Sequence, residues 1–343
     1  MAFIFYIEDR DYNDATSYYV DIIKESIEQK LGEKVLMAHS IKDITEKDIV
    51  FTIHYRTFYF VYRFTKCQKL CFWVQGILPE ELELQGNTIK NKLKIYFYNR
   101  VEKIILRTAS LIFFVSEDMR LHFQKKWGVE VKNYIIMPCF NKQIIKESFF
   151  TERKYTSPSF VYAGSLSSWQ CIDETLVLYK EIEKQLPDSS LIILTAEVNK
   201  AKLLLKERQI KNASVNYIPL YELDSELQKY KYAFLIRDDI DVNHVATPTK
   251  MNTYLANGLI PIYSDVVGAF RRYLSAMNSS VVLKSPLDKE NAVAAVVDFE
   301  KQSIIPSEIL EEYSSIFSLF YNEEEYKNAI AKYIYKLFLL DKN

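Results

Sequence analysis

The strongest chemical signal in this 343-residue chain is the segment 235–262, LIRDDIDVNHVATPTKMNTYLANGLIPI. Thr247 is suited to cap a helix, Pro248 to take its first position, and Thr249 and Lys250 to complete its first turn. Asn257 and Gly258 are suited to end it. A helix start of this kind points unpaired N–H groups and the positive end of the dipole at its surroundings, here with a hydroxyl and an ammonium alongside. That is a setting for a phosphate or diphosphate. Arg237, directly after a strand-like run, adds a second cation. The same residues also suit a plain capped helix with a solvated lysine.

Two further loops carry polar groups at strand ends. In VYAGSLSSWQ (161–170), Gly164 lets backbone approach a ligand, and Ser165 follows with a hydroxyl and an N–H. In WVQGILPEE (73–81), Gly76 and Pro79 shape a loop that ends in the paired acids Glu80 and Glu81. These acids suit either an acceptor contact or the acidic first turn of a helix. No GxGxxG or P-loop pattern occurs. His54 follows a strand-like run with Arg56 two residues on, and His244 precedes the capped helix; both suit a site, whereas His39 and His122 read as peripheral. Asp238, Asp239 and Asp241 are the only acidic group with a metal-like spacing, and the reading is loop structure with no metal site. The four cysteines form neither a disulfide framework nor a zinc pattern and read as buried thiols of a cytosolic protein.

These groups need a scaffold, and the chain alternates strand-like and helix-like runs. The first strand is expected at 3–7, before the acids Glu8 and Asp9, and not as a secretory signal. Continuous apolar strands at 48–53, 70–74, 111–115 and 134–137 alternate with helical spacing at 16–31 and after Ser116. The polar stretch 138–159 reads as a linker, after which the rhythm resumes from 159 to 263. Such strands imply parallel sheets covered on both faces, with ligands at the carboxyl ends of the strands. The expected domains are 1–150, 151–310 and a helical C-terminus, 311–343, packing back toward the first. With two domains, the expected site lies in the cleft between them.

Composition limits the function classes. Hydrophobic residues make up 49% and charged residues 26%, which suits a large folded core, and a net charge of −1 argues against a nucleic-acid binder. No apolar run reaches the roughly 18 residues of a membrane span. One stretch is locally basic: KNKLKIYFYNRVEKIILR (90–107) has six Lys or Arg and one acid, and Arg63, Lys66 and Lys69 lie among aromatics nearby. It suits a peripheral membrane contact with anionic lipid, or an ordinary helix with solvated lysines.

Together the segments resemble GT-B glycosyltransferases, close to the family 4 group of bacterial polysaccharide enzymes. The residues that carry the resemblance are Gln75-Gly76 with Pro79-Glu80-Glu81, Val115-Ser116-Glu117-Asp118-Met119, Tyr162-Ala163-Gly164-Ser165 and the 235–262 block, in the family's order. The resemblance implies an α/β fold of two Rossmann-like, doubly wound parallel-sheet domains facing across a cleft. It implies a retaining, metal-independent hexosyltransferase with no resident cofactor. Such an enzyme moves sugar from a nucleotide-diphosphate donor to a lipid-linked glycan acceptor in surface polysaccharide synthesis. Expected partners are thus a nucleotide sugar and a glycan or lipid-linked glycan, without nucleic acid; the expected location is the cytoplasm, at the inner face of the plasma membrane.

His54, Arg237 and Lys250 are the implied catalytic groups. Gly164, Ser165, Thr195, Arg237, His244, Thr249, Lys250 and Thr253 are the implied donor-binding set, and Arg56, Gln75, Gly76, Glu80 and Glu81 the implied acceptor-binding set. The chain departs from the family at Val245 and Thr253, where two glutamates usually stand, and at Ser165 and Gln170, where a cationic pair usually stands. These departures keep open a catalytically inactive GT-B module that binds a nucleotide sugar or a partner protein; a third reading is a GT-B sugar-nucleotide epimerase.

Overall fold

The computed structural model describes residues 1–8, 11–13 and 16–340; Asp9 and the last three residues of the C-terminal segment lie outside them. The chain forms two compact units. Unit 1 holds residues 1–141, 245–247 and 322–343, and unit 2 holds 142–244 and 248–321.

Among the described residues, unit 1 is built on six parallel strands: β1 (Phe3–Tyr6), β2 (Val35–Ala38), β3 (Ile49–Thr52), β4 (Lys69–Val74), β5 (Leu111–Phe114) and β6 (Tyr134–Ile136). Their spatial order is β2-β1-β3-β4-β5-β6. β3 and β5 are buried at every position, because helices cover both faces of the sheet, and that is why they read as unbroken apolar runs. The order reverses between β1 and β3, so the switch-point crevice of this unit opens beside His54, two residues past the end of β3.

Unit 2 repeats the architecture with β7 (Ser159–Ala163), β8 (Ser190–Leu194), β9 (Ala213–Asn216), β10 (Tyr232–Leu235), β11 (Ile260–Ser264) and β12 (Val281–Leu283), all parallel. Their order, β12-β11-β10-β7-β8-β9, is that of the dinucleotide-binding sheets. Here the reversal falls between β7 and β10. Gly164 directly follows one of these strands and Arg237 lies two residues past the other, so the sheet itself puts them on either side of one crevice.

The aromatic run YRTFYFVYRF has no obvious helix-forming composition, yet Tyr55–Phe64 is a helix, because Tyr55, Phe58 and Val61 recur at helical spacing and are buried. The short edge strands β2 and β12 carry exposed residues and show no continuous apolar run. The stretch 138–159 reads as a linker, but from residue 142 on it is packed into unit 2. Phe149 is buried, Ile145 N–H donates to the carbonyl of Ala256, and Lys154 Nζ donates to the carbonyls of Ser148 and Asn257. Helix Pro306–Phe320 belongs to unit 2, whereas helix Glu323–Ile334 lies on helix Ser17–Leu31 of unit 1. Tyr18, Lys30 and Glu25 meet Glu323, Glu324 and Lys327 there.

Candidate active site

Two cations dominate the switch point of unit 2. Arg237 is 6% exposed. Its backbone N–H donates to Ser264 Oγ (2.9 Å) and its Nη1 to the carbonyl of Trp169 (2.6 Å), while its Nε is buried with no partner. Lys250, in the first turn of helix Thr249–Ala256, donates from Nζ to Gln170 Oε1 (2.8 Å) and Tyr162 Oη (3.2 Å) and lies 4.2 Å from the centre of the Tyr162 ring. Neither cation forms an ion pair with a carboxylate among the described residues. Burial holds the Arg237 guanidinium below its usual pKa. Burial, and then the charge of Arg237, hold the Lys250 ammonium well below its own. A buried charge is stable only when it is paired, so two adjacent unbalanced cations with an orphan N–H favour an anion between them.

The helix start strengthens that bias in a way the sequence did not indicate. Thr247 is not the cap. The boundary residue is Pro248, with no side-chain cap, and Thr247 Oγ1 instead accepts from the backbone N–H of Cys139 (2.9 Å). The N–H groups of the first turn are therefore left without a side-chain acceptor.

Gly164 has φ +137° and sits against the end of Lys250. Ser165 is exposed; its carbonyl accepts from Tyr162 Oη (2.5 Å) and its Oγ lies 3.2 Å from Ser167 Oγ. Glu197 anchors the same loop by accepting from Leu166 N–H (2.7 Å). Thr249 is half-buried in the first helical turn.

The remaining donor-side residues are differently placed. Thr195 is buried, and its Oγ1 accepts from Glu197 N–H (3.2 Å), so it shapes the turn. Thr253 is buried at 7% exposure. Val245, the other position where the chain lacks the glutamate of the resembled family, is buried in unit 1, with its carbonyl accepting from Ser116 Oγ (2.6 Å). His244 is half-buried; its Nε2 meets Asp239 and its Nδ1 lies 3.6 Å from Asp241, so two carboxylates hold the ring.

In unit 1, His54 caps helix Tyr55–Phe64 by accepting from Arg56 N–H at Nδ1 (3.2 Å). That bond places the proton of the neutral ring on Nε2, making it a hydrogen-bond donor in this state. The Arg56 guanidinium is exposed and lies 5.7 Å from the Phe60 ring. Gln75 Nε2 donates to Ile53 O (3.0 Å), and Tyr55 Oη donates to Gly76 O (3.2 Å), tying the QG loop to the end of β3.

The paired acids have separate environments. Glu80 Oε1 lies 3.0 Å from His122 Nε2 and 2.8 Å from Lys126 Nζ, and its Oε2 is buried without a partner. Burial raises its pKa, but the bonds to His122 and Lys126 outweigh that and leave it below the usual range. Glu81 is raised by burial and then by the charge of Glu80, with no ion pair of its own among the described residues. Its Oε1 occupies the space where a side chain on Gly76 would begin. Buried Glu102 completes the cluster, accepting from Lys126 Nζ and Trp127 Nε1, both at 2.9 Å.

The donor-side cluster is thus Gly164, Arg237 and Lys250, joined by Tyr162, Trp169, Gln170 and Ser264. Tyr162 and Gln170 stand in the segment the sequence singled out, Tyr162 as part of the motif and Gln170 as a position where the resembled family usually carries a cation. Ser264 had no signal, being one serine at a strand end. His122 is a correction: it read as peripheral but lies on Glu80, and 42 residues of separation hide the pairing. Among the described residues no group of three His, Cys, Asp or Glu side chains is placed to hold a metal ion.

No protein-family model matches the sequence, and no curated protein matches it either. Solved structures do match. WaaG, a glycosyltransferase involved in lipopolysaccharide biosynthesis, aligns over 95% of this chain and 99% of its own, with a TM-score of 0.67 and 12% identity. The pneumococcal O-GlcNAc transferase GtfA, solved with UDP and GlcNAc, aligns over 87% of this chain with a TM-score of 0.64 and 12% identity. A mutant of S. aureus TarM, solved with UDP and alpha-GlcNAc-glycerol, aligns over 86% with a TM-score of 0.61 and 10% identity. This chain spans 56% of the TarM chain and 59% of the GtfA chain, a little over half of each. Two doubly wound parallel sheets, in a chain that aligns with these structures over most of its length, make this a GT-B fold.

Proposed function

We propose that the protein is a glycosyltransferase that takes a sugar from a nucleotide-diphosphate donor and delivers it to a glycan hydroxyl. The observation that carries this reading is the Arg237–Lys250 pair: two cations without a counter-charge and an orphan guanidinium N–H, at the switch point of a nucleotide-binding sheet. In the transfer, the bond from the sugar's anomeric carbon to the diphosphate oxygen breaks, and an acceptor hydroxyl oxygen bonds to that carbon. The hydroxyl proton is released, and the electron pair leaves on the diphosphate. Arg237, Lys250 and the uncapped helix start meet the charge that grows on the leaving group. These cations do work that other transferases assign to a metal, which supports a metal-independent reaction with no resident cofactor.

On the unit 1 side, the proposed acceptor surface is the end of β3 and β4: His54, Arg56, the Gln75–Gly76 loop and Glu81, with Glu80 held back by its ion pairs. The family resemblance supports retention of configuration and a lipid-linked acceptor in surface polysaccharide synthesis. A surface of unit 1 suits a lipid-linked acceptor. Helix Ile89–Thr108 exposes Ile89, Leu93 and Tyr96 at 80%, 67% and 58%, one stripe at helical spacing, with Lys90, Lys92 and Lys94 also exposed. Phe64 and Tyr62 are exposed on a helix that packs against it. No described helix is long and apolar enough to cross a membrane. The exposed stripe and its lysines support peripheral contact with anionic lipid, and the family resemblance supports the cytoplasmic face of a membrane.

The second reading, an inactive binding module, rests on Val245 and Thr253: both are buried, and neither supplies a carboxylate to a ribose. The test separates the two. Wild-type protein is titrated with UDP, GDP, dTDP and ADP, and the matching sugar nucleotide is then assayed for turnover with membrane-extracted lipid-linked glycans. Binding with sugar transfer supports the enzyme, binding without transfer to any acceptor supports a nucleotide-sugar-binding module, and no binding refutes the enzyme and leaves the module that binds a partner protein.

A further inference from the structure

The chain's own oxygens occupy the donors of the cation pair. Trp169 O sits on Arg237 Nη1 at 2.6 Å, and Gln170 Oε1 sits on Lys250 Nζ at 2.8 Å. Both residues belong to the short 3-10 turn Ser168–Gln170, which ends at Cys171, a non-glycine residue in left-handed conformation with φ +50°. Trp169 and Gln170 are half-buried, so the turn lies over the cations and remains open to solvent on its outer side. Both acceptors are neutral, one a backbone carbonyl and the other a side-chain amide.

We infer that Gln170 is a placeholder: its amide oxygen and the Trp169 carbonyl mark two positions that anionic oxygens of a diphosphate take, and ligand binding displaces the 168–170 turn from Arg237 and Lys250. The inference rests on the proposed reading of this pair as a diphosphate site, and deepens it by assigning Gln170 a competing role.

The energetics favour exchange. A phosphate oxygen carries the charge opposite to that of the ammonium and guanidinium, so Coulomb attraction favours it over a neutral carbonyl or amide oxygen on the same donor. The neutral acceptors satisfy the buried donors while the site is empty and yield when an anion arrives. A carboxylate at position 170 would neutralise Lys250 and block the exchange. The orphan Nε of Arg237 has no such placeholder and stays available to the incoming anion. The left-handed Cys171 gives the turn a strained end.

The sign of one mutational effect tests this. Gln170→Ala removes a competitor, so it tightens binding of UDP and of inorganic diphosphate by roughly three- to tenfold, the worth of one net hydrogen bond. A residue that contacts the ligand, or merely supports the loop, would weaken binding on the same change. In a Lys250→Met background the Gln170→Ala effect disappears, because the competition runs through that ammonium. In the wild type, UDP changes Trp169 fluorescence, and Trp169→Phe removes that change while keeping the carbonyl. If wild type binds neither probe, the diphosphate site is refuted together with this inference. If wild type binds and Gln170→Ala binds equally or more weakly, or if Trp169 emission is insensitive to ligand, the site stands and the placeholder role is overturned.

Discussion

A β-carbon added to Gly164 would lie 2.5 Å from both Cε and Nζ of Lys250. The glycine therefore makes room for the lysine, and its φ of +137° is one that other residues adopt only with strain. Because the atoms in the way are the end of a flexible side chain, Gly164→Ala moves the lysine more than the fold. The expected outcome is a stability loss of about 1–3 kcal/mol from the backbone term. Diphosphate affinity should fall as far as in Lys250→Ala, and the double variant should bind no worse than either single one. Calorimetric titration of the three variants checks this, and additive losses would show that glycine and lysine act separately.

Arg237→Ala and Lys250→Ala are each expected to weaken nucleoside-diphosphate binding by ~1–3 kcal/mol, the range for a charge-assisted hydrogen bond. Unchanged affinity in both would remove the phosphates from this crevice.

Binding should also take up a proton. In the free protein, burial and Arg237 hold the Lys250 pKa well below its usual value, and a bound diphosphate raises it. Between the free and bound values the complex holds more protons than the separated partners. Affinity therefore falls as pH rises through that window, starting at the depressed free value. Calorimetry in two buffers of different ionisation enthalpy reads the uptake directly. Lys250→Met should abolish it, and equal heats in both buffers for the wild type would contradict the assignment.

The fold was legible because central strands of parallel sheets are uninterrupted apolar runs; β3, β5 and β10 announced themselves this way. The cations were legible because Arg237 follows a strand and Lys250 opens a helix. What stayed hidden depends on register and distant pairing. Strand order, which brings Gly164 and Arg237 to one crevice, is not local information. Nor is the meeting of Glu80 with His122 and Lys126, or the diversion of Thr247 from capping to the N–H of Cys139. The stretch 138–159 misled because a polar composition conceals a few buried anchors such as Phe149 and Lys154.

Lys154 gives a stability signature with a defined sign. Its amine is 2% exposed, donates to Ser148 O and to Asn257 O at the end of the Lys250 helix, and is pushed down to about 7 by burial. In the unfolded chain it titrates at its ordinary 10.5. Between these values the unfolded state binds more protons, so stability rises with pH from about 7 upward and is lost as pH falls back toward 7. The slope approaches about 1.4 kcal/mol per pH unit. Denaturant unfolding of wild type and Lys154→Met at pH 7, 8 and 9 isolates this slope, because other groups cancel in the difference. Parallel curves would mean that the amine stays charged in the folded protein.

The exposed stripe of helix Ile89–Thr108 can be separated from fold and catalysis. Ile89, Leu93 and Tyr96 are largely in water, so replacing all three by serine should change stability little, each exposed site usually counting within about 0.5 kcal/mol. Their only large free-energy gain is available in an apolar medium, and the surrounding lysines each add about 1 kcal/mol near an anionic surface. The triple variant should therefore lose sedimentation with vesicles containing phosphatidylglycerol, yet keep wild-type affinity for soluble UDP. Raising the salt should weaken wild-type vesicle binding, since the lysine contribution is screened within about 10 Å at 0.1 M. Neutral phosphatidylcholine vesicles should bind poorly throughout. Equal binding of wild type and triple variant to anionic vesicles would assign the stripe to something other than lipid, and vesicle binding that ignores both salt and lipid charge would remove the lysines from the account.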